Sequence, residues 1–183
     1  FYAYIGSGQM VNTVENDVMG YQFALKYAIQ QNDTATVDTL RRNGPPPYIG
    51  EGMIWKYVAF FNVLNSYMGE IDYKLSIMLV PWFAPEYGLL DRVNYVRGLI
   101  ETYTVLYPQL KDLDFTVQAN KLDVPVYFFE GRKDVNAMTS LVEHYYSVLQ
   151  APHKELIWSN SGHGISGADA NQLVDVMVNH VLA

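Results

Sequence analysis

Two side chains in the last third of the sequence have the chemistry of a proton-transfer pair. Asp134 follows Glu130-Gly131-Arg132-Lys133, and His163 sits in Ser161-Gly162-His163-Gly164. Each comes just after an apolar run that reads as a strand. A carboxylate bonded to one imidazole nitrogen fixes the tautomer and stabilises the imidazolium formed when the other nitrogen takes a proton. Asp134 and His163 therefore fit an orienting acid and a general base. The same residues admit a plainer reading, with Asp134 capping the following helix and His163 a polar turn residue.

The elements around them decide whether they can meet. Val124-Pro125-Val126-Tyr127-Phe128-Phe129 is a continuous apolar run, the mark of a strand buried on both faces of a parallel sheet. A helix follows over 136–150, with Met138, Leu141, Tyr145 and Val148 inward. Next come a short strand at 155–158 and a closing helix from about 168 to 182, with Leu173, Val176 and Val181 apolar. Strand, helix, strand, helix at this spacing predicts a right-handed parallel crossover unit. Sites in open α/β sheets gather at the carboxyl ends of strands. Two groups 29 residues apart in sequence are thereby expected to become neighbours in space.

Upstream, Phe1 to Ile5 reads as a short buried strand bounded by Gly6-Ser7-Gly8. The period then becomes helical. Val11, Val14, Val18, Tyr21, Leu25 and Ala28 share one face, with Asn12 and Glu15 as a capping pair. Further helices are predicted over 34–42, 53–68 and 90–107, and another from Asp72 that Pro81 and Pro85 end. Val93, Val96, Ile100 and Tyr103 are the inward positions of the 90–107 helix. Pro45-Pro46-Pro47 forces an extended turn. Residues 10–110 thus read as helices joined by short Pro/Gly turns.

The segment 124–134, its helix, and Lys-Glu-Leu-Ile-Trp-Ser-Asn-Ser-Gly-His (154–163) resemble the C-terminal end of the α/β-hydrolase fold, and more narrowly its proline-iminopeptidase-like branch. In that family the acid of the triad follows the seventh strand and the histidine the eighth, positions matched by Asp134 and His163. Phe-Tyr-Ala-Tyr-Ile-Gly-Ser-Gly-Gln resembles the sixth strand and its loop, and residues 10–110 the helical cap. The resemblance implies an α/β fold of about three parallel strands with helices, residues 1–9 and 111–183 forming the core portion and 10–110 the lid. It implies a serine hydrolase cleaving an ester or a peptide-type amide, an esterase or aminopeptidase acting on a small-molecule ester or peptide substrate, without cofactor.

The family nucleophile sits on a G-x-S-x-G turn upstream of the sixth strand, and no G-x-S-x-G occurs in this sequence. The expectation is a back half of a hydrolase whose serine lies outside the chain. Ser7, Ser161 and Ser166 are stand-in candidates, but each lacks the strained elbow and reads more simply as a turn residue. The alternative is a catalytically inactive fragment that acts as a folding or oligomerising module.

Other constellations are weaker. Glu15, Asp17, Glu51 and Glu70 are candidates to bind the substrate ammonium that an aminopeptidase of this branch needs, or are simply exposed helical carboxylates. Tyr48, Trp55, Tyr57, Tyr67 and Trp82 either line an apolar acyl pocket or pack as core. His144, His153, His163 and His180 show no metal-ligand spacing, and His144 and His180 read as surface. Gly6-Ser7-Gly8 is too short for a phosphate loop.

Composition narrows the classes. Twelve Lys+Arg against 19 Asp+Glu leave a net charge of −7 with no basic block, which speaks against nucleic acid or an anionic membrane as partner. The absence of cysteine removes disulfides and thiolate chemistry and fits a cytoplasmic location. The densest apolar patch, Leu75 to Val80, is closed by Pro81 and is too short to cross a membrane. Truncation carries a further expectation. The first strand loses its neighbour, and Tyr127 and Phe129 lose the helices over them, so an exposed edge and apolar face should drive a homo-oligomer or binding of the missing N-terminal half.

Overall fold

The apolar run ahead of Asp134 folds as the central strand of a three-stranded parallel sheet. The computed structural model describes residues 1–69, 82–164 and 167–182. The sheet order is β1 (Tyr4–Ser7), β2 (Val126–Gly131), β3 (Lys154–Ser159). Tyr4 pairs with Val126, and Val126 with Lys154, all parallel. Every residue of β2 is buried, as a strand flanked on both edges and covered on both faces must be. The protein is thus of mixed α/β class.

The chain divides into two compact units, 1–16 with 113–183, and 17–112. In the first, β2 is followed by the crossover helix, Thr139–Val148, and β3 by a helix over Gly167–Val176 that continues as a π-helical turn to Val181. Alternation along β2 splits the core. Phe128 packs edge-on to Tyr4 and tilted against Tyr145 of the crossover helix. On the opposite face Tyr127 and Phe129 pack with Ile157 and Val176, flanked by Leu173 and Val181. The expected exposure of Tyr127 and Phe129 is therefore incorrect: they are 3% and 6% exposed, because the last helix covers that face.

The second unit is helical. Taking the helices in chain order, α1 spans Thr13–Gln30 (beginning in the first unit), α2 Thr34–Asn43, α3 Met53–Met68 and α4 Leu89–Leu106, followed by a 3-10 stretch, Tyr107–Asp112. A single turn at Phe115–Gln118 is α5, the crossover helix is α6 and the last helix α7. Local chemistry sets the ends. Asn12 accepts the Glu15 N–H at 3.0 Å ahead of α1, Asp33 accepts that of Thr36 ahead of α2, and Gly69 closes α3 in the left-handed region. Leu40, Phe60 and Leu64 form the core of this unit.

Several sequence expectations shift. The first strand begins at Tyr4 rather than Phe1, and Phe1 and Tyr2 are almost fully exposed. Its ladder starts only where Tyr4 N–H meets Pro125 C=O at 2.8 Å. The crossover helix begins at Thr139 instead of 136, since Asn136 and Ala137 donate their amides to Asp134. On it Val148 is exposed, and Val142 takes the inward place. Val93 of α4 is also exposed, and no residue of that helix is buried. The helix expected from Asp72, the patch Leu75 to Val80, Glu70 and Ser166 lie outside the described residues.

Phe128 is the largest wholly buried side chain of the sheet. Phe128→Ala is expected to lower unfolding free energy by about 3–5 kcal/mol, the transfer cost plus that of the cavity left behind. Denaturant unfolding reads this as a lower midpoint at unchanged slope; a loss below about 1 kcal/mol would contradict this packing.

Candidate active site

At the carboxyl ends of the strands the parallel ladder does not stop with the sheet. Arg132 N–H bonds Ser159 C=O at 3.0 Å, and Lys133 N–H bonds Ser161 C=O at 3.1 Å. These two bonds zip the loop after β2 to the loop after β3. The junction depends on Gly131, where a Cβ would overlap the carbonyl oxygens of Ser161 and Gly162. Only glycine lets the backbones approach so closely.

That zip delivers Asp134 to His163. Nδ1 of His163 lies 3.0 Å from Oδ2 of Asp134. The Asp134 side chain is fully buried and the His163 side chain 40% exposed. The other carboxyl oxygen, Oδ1, accepts the backbone N–H groups of Asn136 at 2.8 Å and Ala137 at 2.9 Å. Asp134 thus divides its two oxygens: one orders the turn into α6 and the other faces the imidazole. An ionised carboxylate only accepts, so Nδ1 carries the proton and Nε2 is the basic nitrogen.

Glu130, one turn of the pleat before this loop, was not singled out by sequence reasoning. It is 1% exposed, its Oε1 accepts the Gln9 N–H at 2.8 Å, and its Oε2 has no hydrogen-bond partner among the described residues. Burial pushes its carboxyl up to about 7. The Gln9 amide pulls the other way, Asp134 adds upward repulsion, and His163 lowers it. A glutamate ending an apolar strand was the available signal, since a charged residue is almost never fully buried without a partner.

The serine candidates are placed unevenly. Ser7 is exposed at the end of β1 and lines, with Glu130, Ser161 and His163, a cavity of about 10 Å³, the size of one water. Ser161 Oγ is bonded to Ser159 Oγ. Among the described residues no cluster of His, Asp and Glu could hold a metal ion. His144, His153 and His180 are exposed. No helix of the described residues is long and apolar enough to cross a membrane.

The second unit holds a buried carboxylate of its own. Glu15 and Glu51 are exposed, but Asp17 is 2% exposed, so it is not a solvated helical carboxylate. It accepts the Tyr107 hydroxyl at 2.7 Å and that of Tyr57 as well. Burial raises its carboxyl to about 6, with the two hydroxyls opposing. Burial likewise drives the Tyr57 and Tyr107 hydroxyls well above the usual phenol range. The aromatics divide: Tyr48 and Tyr57 are core, whereas Trp55, Tyr67 and Trp82 are exposed. The larger cavity, about 550 Å³, is an open groove among α1, α2 and α3, lined by Tyr27, Gln31, Asp33 and Asn62. Asp33 there is committed to capping α2, so the groove offers no acid–base pair.

Comparisons with known proteins add a distant relative. The chain is 22% identical over 166 residues to the probable aminopeptidase YbaC of Bacillus subtilis (strain 168), a match covering 89% of this chain and 52% of that protein. The chain spans about half the length of that curated relative. No protein-family model and no solved structure matches it.

Glu130 makes stability depend on pH with a definite sign. Its folded-state value of about 7 exceeds its ordinary 4.5, so the native state holds the proton longer than the unfolded chain. The stability it contributes is complete below pH 4.5 and is lost as pH rises through about 7. Over that window the loss amounts to roughly 3 kcal/mol. Glu130→Gln keeps the shape and removes the titration. Its unfolding free energy relative to wild type should therefore be several kcal/mol more favourable at pH 8 than at pH 4. Asp17, raised to about 6, leaves a residual slope of the same sign in both chains. Parallel pH profiles for the two chains would show that Glu130 titrates normally.

Proposed function

We propose that these residues are the acid–base portion of a hydrolase of the α/β-hydrolase kind, cleaving an ester or a peptide-type amide. In this reading residues 1–16 and 113–183 form the C-terminal part of that fold, and the helical unit is its cap. One observation carries the assignment: the 3.0 Å contact between His163 Nδ1 and a fully buried Asp134 carboxylate whose second oxygen is held by two backbone amides. An acid so anchored cannot swing away, and its charge stabilises imidazolium where water would not screen it. The 22% identity to a probable aminopeptidase supports the same class.

The chemistry assigned to this chain is proton transfer. A serine hydroxyl contributed from outside residues 1–183 attacks the acyl carbon, and its proton passes to His163 Nε2. The oxyanion collapses, the bond to the leaving amine or alcohol breaks, and His163 returns the proton to that leaving group. Water then repeats the sequence on the acyl-enzyme. Asp134 remains ionised throughout and holds the imidazole by Nδ1.

Two measurements test this. The 183-residue chain alone should give no burst with an activated ester and take no label from a serine-directed phosphonate, because triad members act as a unit. A burst surviving Ser7→Ala, Ser161→Ala and Ser166→Ala together would overturn the assignment. In the assembly that supplies the nucleophile, Asp134→Asn should lower kcat by about 10⁴-fold with little change in KM; a loss below about tenfold would remove Asp134 from the role.

We extend the proposal to assembly. β1 lies at the edge of the described sheet, and Phe1 and Tyr2 ahead of it are exposed. An unpaired edge templates strand addition, so the isolated chain is expected to self-associate, most simply as a two-fold dimer. Light scattering at micromolar concentration checks this, and a stable monomer would refute it.

A further inference from the structure

The turn between β1 and α1 lies directly against the imidazole. Gly8 has φ of +54°, and a Cβ placed there would sit 2.7 Å from both Nδ1 and Cε1 of His163. The turn therefore forms a wall on the side of the ring that bonds Asp134. Wall and acid together bound the ring on its Nδ1 side. What matters then is what fixes the wall.

Three bonds do so. Gly8 N–H reaches Phe129 C=O at 3.1 Å, a continuation of the β1–β2 ladder. Tyr4 donates its hydroxyl to Gln9 Oε1 at 2.6 Å. The third is the Gln9 N–H to Glu130 Oε1 at 2.8 Å, the one that comes from a side chain in the middle of the sheet. Residue 130 points inward from a strand whose other members are apolar, and burying a carboxyl there is costly. An apolar side chain would fill the space but leave the Gln9 amide without an acceptor beneath the turn. An unmade buried bond of that kind destabilises the conformation that needs it.

We infer that Glu130 is a positioning residue for His163, acting through the Gly8–Gln9 turn: it anchors the Gln9 amide so that the Gly8 backbone holds the imidazole against Asp134. The inference rests on the reading of Asp134 and His163 as an acid–base pair. The anchor needs an oxygen at the reach of glutamate, not a charge. That separates two conservative variants. Glu130→Gln retains the reach and the acceptor and loses the charge. Glu130→Asp retains the charge and falls short of the amide by one methylene.

The experiment is proton NMR of the 183-residue chain, following the downfield exchangeable proton of His163 Nδ1 while circular dichroism monitors the fold. Asp134→Asn should abolish this signal, which assigns it. Glu130→Gln should leave it in place, and Glu130→Asp should broaden it beyond detection in a chain that is still folded. Gly8→Ala, which drives a Cβ into the ring with Glu130 untouched, should also displace it and serves if Glu130→Asp does not fold. Retention of the signal in folded Glu130→Asp, its loss in Glu130→Gln, or an unchanged signal in folded Gly8→Ala would each overturn the inference while leaving the Asp134–His163 pair standing. Survival of the signal in Asp134→Asn would remove the pair itself, and the positioning role with it.

Discussion

The backbone contact between Gly131 and the Ser161–Gly162 turn is the constraint on which the strand ends depend. A parallel ladder ordinarily ends with its strands, and the loops beyond it diverge. Here the approach is close enough that no side chain fits at position 131. Two further amide bonds, from Arg132 and Lys133, carry the pairing into the loops. Asp134 therefore leaves the ladder only after the His163 loop has been drawn alongside. The 3.0 Å contact between the two side chains is a consequence of main-chain geometry, not its cause.

The carboxylates of this protein illustrate how environment sorts identical chemistry. Asp134 is fully buried yet surrounded by donors: two amides and an imidazole. Glu130 is equally buried but meets one amide and has an oxygen without a partner among the described residues, and burial moves its carboxyl to about 7. Asp17, with two tyrosine hydroxyls, is raised to about 6. For Glu130 and Asp17 burial outweighs the donors that each carboxylate meets, and both are raised. Near neutrality Glu130 is therefore only partly charged, and it serves the Gln9 amide as an acceptor in either form.

The same ladder logic operates on the other side of β2. Gly8 extends the β1–β2 pairing by one bond, and Glu130 anchors the next residue. The central strand thus organises both neighbouring loops from its own carboxyl end, one through its backbone and one through a side chain.

Local sequence signals specify most of the described elements and much of their order. A continuous apolar run marks a doubly buried strand, a period of 3.6 marks the helices, and Asn12 with Glu15 marks a helix start, because each of these signals is local. They also place Asp134 and His163 at successive strand ends. Which buried group meets which emerges only when the elements pack. The coverage of Tyr127 and Phe129 depends on where the last helix lands, and the exposure of Val93 and Val148 on which helix face finds a neighbour. Asp17 became buried, and Glu130 came to hold the turn from Gly8, through partners 90 and 121 residues away in sequence. Periodicity reports which face of an element is apolar. The partner of a polar group in that interior is set by packing across the chain, and no local pattern encodes it.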